Sequence, residues 1–239
     1  MEKIILNPGR ALGDTLCAIA IARGIPKKVS IVARQIFHPL FQGIGITPEL
    51  GVNIYNIVIN YWPCLAQPNR LLNRDCHIVD WMNFFLKDQY KIISYSTKDD
   101  VKIQLTEKEL LDGKQFCQAI SNRKPIVAIA SLATTKNRTL PNKILENILS
   151  GISHFSTPLI LESSGIFDAE YLPHKIYGDL RKTAAVIAAS DAMLTVDSGL
   201  AHLAAAAYQG NETNLTPEKV IMLIGSFALH PYLRIWYAG

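Results

Sequence analysis

Asp191-Ala192-Met193-Leu194-Thr195-Val196-Asp197-Ser198-Gly199-Leu200-Ala201-His202-Leu203-Ala204-Ala205-Ala206-Ala207 reads as an apolar strand that runs straight into a helix. Ala192–Val196 is short and apolar, as a strand buried in a parallel sheet must be. Leu200, Leu203, Ala204 and Ala207 then fall on one face of a helix. Ser198 is placed to cap that helix, and Gly199 lets a ligand approach the free N–H groups of its first turn. A strand joined so directly to a helix is the building unit of an α/β fold.

The same unit recurs in both directions from this stretch. Strands are predicted at Lys3–Leu6, Val29–Ala33, Ile54–Ile59, Ile126–Ala130, Leu159–Glu162 and Val220–Ile224. Helices are predicted at Asp14–Arg23, Glu107–Ile120, Pro141–Ile152 and Leu180–Ser190, with Pro141 in a first turn that tolerates it. Gly43 and Gly45 mark a turn. The stretch Tyr61–Gln104, with Trp62, Trp81, Tyr90 and Tyr95 among polar residues, is read as a substrate-facing edge. Ser121-Asn122-Arg123-Lys124-Pro125 is polar and ends in proline, so the domain boundary is placed there, giving domains 1–122 and 123–239.

Composition narrows the function classes. Of 239 residues 49% are hydrophobic, ample for packed cores, so disorder is not the default. The 24 basic and 20 acidic side chains leave a charge of +4, which suits a small anionic ligand without requiring a polyanion. Lys27-Lys28 is the longest basic cluster, too small for a nucleic-acid-binding arm. Cys17, Cys64, Cys76 and Cys117 lack zinc-site spacing and the density of a disulfide scaffold. With no signal-peptide pattern after Met1 and no apolar run near the about 18 residues of a membrane span, a cytoplasmic location is expected, with at most peripheral membrane contact.

Three strand–helix junctions carry the chemistry. At the first discussed, Asp197, Ser198, Gly199, Leu200 and Ala201 surround a helix N-terminus whose amides and dipole favour a phosphate. His202, one turn on, can reach a phosphate or sugar oxygen; the plainer alternative is a capped helix with a satisfied, partly buried histidine. The second is the loop after Ala130, where Thr134, Thr135, Lys136 and Arg138 match the oxygens and charge of a diphosphate at the sheet edge where α/β ligands bind. Read alone, such a basic loop is more often a solvated surface loop. The third, Asn7-Pro8-Gly9-Arg10-Ala11-Leu12-Gly13-Asp14, is not a dinucleotide fingerprint. It offers Arg10, a small Gly13 and the Asp14 carboxylate on a first helical turn, where an aspartate also serves simply to stabilise the helix.

In order, these segments resemble glycosyltransferase family 9, which contains the ADP-heptose:lipopolysaccharide heptosyltransferases. Leu12-Gly13-Asp14 resembles its opening loop, and Thr134-Thr135 with Arg138-Thr139-Leu140-Pro141 resembles its donor loop. Asp197-Ser198-Gly199-Leu200-Ala201-His202-Leu203-Ala204-Ala205-Ala206 is similar to its most specific signature, and Leu223-Ile224-Gly225-Ser226 to the strand and turn after it. The resemblance implies a GT-B architecture of two facing Rossmann-like domains, acceptor on the first and nucleotide sugar on the second.

It also implies an inverting transfer without metal or cofactor, from an ADP-linked, heptose-like donor to a bacterial glycan, lipopolysaccharide or other lipid-linked acceptor, or protein. Nucleic acid is not an implied partner. Asp14 is then the general base and Arg138 the second catalytic group, stabilising the leaving diphosphate with Lys136 and the helix start at Ser198–Ala201. Thr134, Thr135, Asp197, Gly199 and His202 hold the donor, Arg10 and Gly13 lie on the acceptor side, and Glu162 or Glu170 supplies a further donor contact. Leu140 stands where the family often carries an aromatic residue, and the family's C-terminal bracing helices are implied to be missing after Gly239. Two other functions stay open: a catalytically silent nucleotide-sugar-binding or assembly module, and a GT-B-type nucleotide-sugar epimerase.

Overall fold

The computed structural model describes residues 4–8, 11–50, 57–60, 77–121, 123–133, 138–161, 179–211 and 219–223. They form two compact α/β units, the first ending at Lys102 and the second beginning at Ile103.

The first unit is built on a parallel sheet of β1 (Ile4–Asn7), β2 (Val29–Val32), β3 (Thr47–Glu49) and β4 (Ile57–Asn60) in the order β3-β2-β1-β4. β1 pairs with β2 at Ile5↔Ser30 and with β4 at Ile5↔Val58, which makes it central. Pro48, which cannot donate to a ladder, sits on the edge strand β3. Helix α1 (Leu12–Gly24) is buried along nearly its whole length, as its apolar composition on every face requires. α2 (Ile78–Tyr90) ends at Lys91 in the left-handed conformation, φ 54°.

The stretch read as a substrate-facing edge is, in its described part, α2 and an extended strap laid on the end of α1. Trp81 is buried in the core, Tyr95 donates its backbone N–H to Gly24 O, and Ser94 Oγ donates to Ile21 O. Arg23 closes the strap by donating to the carbonyls of Lys102 and Asp100. A side chain on Gly24 would put its Cβ 2.4 Å from Ser96 N, so packing, not turn geometry, demands the glycine.

The second unit repeats the plan with β5 (Ile126–Ala130), β6 (Thr157–Ile160), β7 (Ala192–Val196) and β8 (Val220–Leu223), all parallel in the order β6-β5-β7-β8. Its helices are α3 (Glu107–Ile120), α4 (Asn142–Ser153), α5 (Leu180–Ala189) and α6 (Gly199–Gly210). α4 lays Leu145 and Leu149 onto Ile129 and Ile160 of the sheet. Pro141 precedes α4 as its N-cap residue, with an extended ψ of 138°, one position earlier than the first-turn place expected of it. Asp179 caps α5 by accepting from the N–H groups of Arg181 and Lys182.

The division between units falls before α3, not at the Ser121–Pro125 stretch. α3 crosses α5 so closely that a Cβ on Gly113 would lie 2.5 Å from Ala185 O. Ser121 Oγ accepts from Lys124 N, which ties these two residues together inside the second unit. Residues 103–105 are zipped to the end of α6, with Ile103 N–H on Ala206 O and Leu105 N–H on Asn211 Oδ1. The last residues, 224–239, and with them the expectation about C-terminal helices, lie outside the described residues. Among the described residues no helix is long and apolar enough to cross a membrane.

Candidate functional site

In an open parallel sheet a crevice opens at the carboxyl edge where the strand order reverses, because the connections on either side leave in opposite directions. The second unit reverses between β5 and β7, and the first between β1 and β4. The three junctions singled out in the sequence leave these strand ends: the loops after β5 and β7 in one unit, and the loop after β1 in the other.

At the β5/β7 edge the two loops meet. Arg138 Nη1 donates to Asp197 Oδ2 at 3.1 Å, across 59 residues of sequence. Both side chains are about a quarter to a third exposed, at 32% and 26%, so the pair faces solvent. Arg138 has a firm base. Thr139 Oγ1 accepts from Ala133 N and donates to Ala133 O, and Leu140 N–H bonds to Ser131 O, which draws the two ends of the loop together. Leu140 packs on the Ile129, Leu145, Leu149 and Ile160 cluster, so at this position the side chain anchors the loop in the core.

Asp197 leads directly into α6. Ser198 stands at the N-cap with extended backbone, φ −146° and ψ 169°, but its hydroxyl makes no capping bond. Its Oγ is buried without a hydrogen-bond partner. The expected Ser198 cap is therefore present in position only, since its hydroxyl accepts no bond from the first-turn amides. Those of Gly199 and Leu200 are the donors that helix geometry leaves without an acceptor in the helix. Ala201 N–H bonds back to Ser198 O, Ala201 is buried, and His202 is half-buried one turn along. A half-buried helix start beside a cation is a place where negative charge is favoured.

At the β1/β4 edge of the first unit, Gly13 and Asp14 lie in the first turn of α1. The helix begins at Leu12, two residues earlier than expected, because Ala11 O accepts from both Thr15 N and Thr15 Oγ1. Asp14 is buried, 8% exposed. One helical turn below, burial pushes the Cys17 thiol far above its ordinary range, and the Asp14 charge adds to the shift. Cys17 is therefore a neutral core residue.

Arg10, Thr134, Thr135, Lys136, Glu162 and Glu170 lie outside the described residues. Among the described residues no group of three or more His, Cys, Asp or Glu side chains could hold a metal ion.

One polar centre was not anticipated. Arg181, 5% exposed, sends Nε and Nη2 to Glu109 Oε1 and Oε2 at 2.6 and 2.7 Å, and Nη2 also to Gln104 O. Glu109 closes a capping box with Thr106 at the same time, and the guanidinium holds its carboxyl down at about 2. The signal for the box was present in Thr106-Glu107-Lys108-Glu109, a Thr-x-x-Glu run ahead of an apolar helix face. Nothing local announced the arginine.

No protein-family model and no curated protein matches this sequence. Solved structures do. The chain is 14% identical to Escherichia coli ADP-heptose lipopolysaccharide heptosyltransferase II, over 98% of this chain and 96% of that one, with a TM-score of 0.59. It is 14% identical to a family 9 glycosyltransferase from Veillonella parvula, over 93% and 87% of the two chains, with a TM-score of 0.62. It is 13% identical to E. coli heptosyltransferase WaaC, solved with ADP-2-deoxy-2-fluoro heptose, over 92% of each chain, with a TM-score of 0.56. The two Rossmann-like α/β units thus have the fold of the family 9 heptosyltransferases.

Proposed function

We propose that the protein is a glycosyltransferase that takes a nucleotide-diphosphate sugar at the β5/β7 edge and transfers the sugar to a bacterial glycan, lipid-linked or protein acceptor. The observation that carries this reading is the meeting of Arg138 with the Asp197-Ser198-Gly199 helix start. It puts a guanidinium and unspent amides at one sheet edge, the two kinds of donor a diphosphate requires.

In this reading the transfer inverts the anomeric centre and needs no metal. Arg138, with Lys136 and the first-turn amides of α6, takes up charge as the diphosphate departs. Thr134, Thr135 and His202 contribute donor contacts, and ADP is the favoured nucleotide. Asp14 removes the proton from the acceptor hydroxyl as that oxygen attacks, with Arg10 and Gly13 on the acceptor side.

A thermal-shift panel of ADP, GDP, UDP and their sugars tests the first half, since a ligand that binds only the native state raises the melting temperature. ADP and an ADP-sugar are expected to raise it in the wild-type protein and to do so much less in Arg138→Gln. A flat response to every nucleotide would end the proposal, and binding without transfer would leave a silent binding module.

A further inference from the structure

We propose that the first unit docks on the surface of an anionic lipid bilayer, through the lysines and exposed tyrosines that meet where the strap crosses the end of α1.

Two stretches of chain are brought together there. α1 ends at Gly24, and Pro26, Lys27 and Lys28 are exposed between it and β2. The strap is pinned beside them by the bonds from Tyr95 N–H to Gly24 O and from Ser94 Oγ to Ile21 O. Burial alternates along it as in any extended segment: Ile92 and Ser96 are buried, whereas Ile93 is 49% and Tyr95 73% exposed. Tyr90, just before the strap, is also exposed, and its ring is propped on Phe85, which in turn leans on the buried Trp81.

The charge of this surface has one sign. Pro26–Lys28 and Lys87–Tyr95 carry four lysines, Lys27, Lys28, Lys87 and Lys91, against the single carboxylate of Asp88, so an anionic partner is favoured. Lys91 Nζ donates to the backbone carbonyl of Asp88, which does not cancel its charge. A membrane interface uses both parts of the surface. Tyrosine rings settle at the level of the headgroups, and lysine stems lie along apolar surface while their ammonium groups reach lipid phosphates. Ile93 offers nothing to a polyanion such as nucleic acid, whereas the acyl boundary of a bilayer accepts it.

Lys28 leads directly into β2, so the surface lies at the amino edge of the sheet, opposite the edge where α1 starts and Asp14 lies. It is separate from the groups proposed for sugar transfer.

Flotation of the whole chain with vesicles of phosphatidylcholine alone, and of phosphatidylcholine mixed with phosphatidylglycerol, tests this. The protein should rise with the anionic vesicles only, and should be released at about 1 M salt, where the screening length falls to about 3 Å. Each lysine near such a surface is worth about a five-fold change in binding, so Lys27→Ala with Lys28→Ala should weaken it by about 25-fold. Ile93→Glu with Tyr95→Glu should abolish it, and Ile93→Ser with Tyr95→Ser serves the same comparison if the charged pair melts early. Leu111→Glu, at an exposed leucine of the second unit, should leave binding unchanged. Absence of binding to the anionic vesicles overturns the proposal, as does an equal loss in Leu111→Glu. So does binding that survives the changes at Ile93 and Tyr95: with the lysines still required it would mark a surface for any polyanion, and without them another surface altogether.

Discussion

Arg181 and Glu109 face each other through two parallel hydrogen bonds, of 2.6 and 2.7 Å, and so lock α5 to the start of α3. The same carboxylate accepts from Thr106 N–H, so one side chain caps a helix and neutralises a buried cation. Glu109→Ala would strand that cation and is expected to cost about 3 kcal/mol in denaturant melts.

The pH dependence follows from the sign of the shift. Folding lowers the Glu109 carboxyl from 4.5 to about 2, so its contribution is complete above 4.5 and fades as pH falls toward 2. The stability gap between wild type and Glu109→Gln should therefore be widest above pH 5 and narrow steadily below it. A gap independent of pH between 2 and 6 would contradict the assignment.

Two glycines of the second unit should respond oppositely to alanine. Gly113→Ala drives a Cβ to 2.5 Å from the Ala185 carbonyl and is expected to cost about 1–3 kcal/mol as α3 and α5 separate. Gly151, inside α4 with nothing within 4 Å of its would-be Cβ, should gain about 0.5–1 kcal/mol from the same change. Equilibrium unfolding of the two variants side by side checks both signs.

Asp14→Ala is expected to reduce transfer by about 10²–10⁴-fold, the range of a general base, while leaving the ADP-induced rise in melting temperature intact. Because Asp14 is buried, the melting temperature without nucleotide must be measured alongside. Full turnover in the variant would remove Asp14 from the mechanism.

Cys17 and Cys117 are both buried, and burial raises both thiols, Cys117 to about 11. Neither should react with a thiol reagent at pH 8 in the native protein, and both should do so in denaturant. Peptide mapping of the labelled chain distinguishes them from Cys64 and Cys76.

Much of the fold was legible in the chain itself. Apolar runs such as Ile126–Ala130 and Ala192–Val196, and the helix periods between them, report on neighbours a few residues apart, and the elements expected from them appear within a few residues of their limits, whereas β3 and α2 were not anticipated. The loop bearing Arg138 and the junction at Asp197 could each be recognised as a candidate in isolation. What sequence alone left open was that they touch, because that contact follows from β7 pairing beside β5, a long-range choice with no local signature. The same reason hid the buried Arg181 behind an ordinary helix start and placed the break between units before α3. Local propensities determined which segments became strands, helices and turns. Only the tertiary structure, by burying those segments against distant partners, decided which polar side chains would meet at a sheet edge.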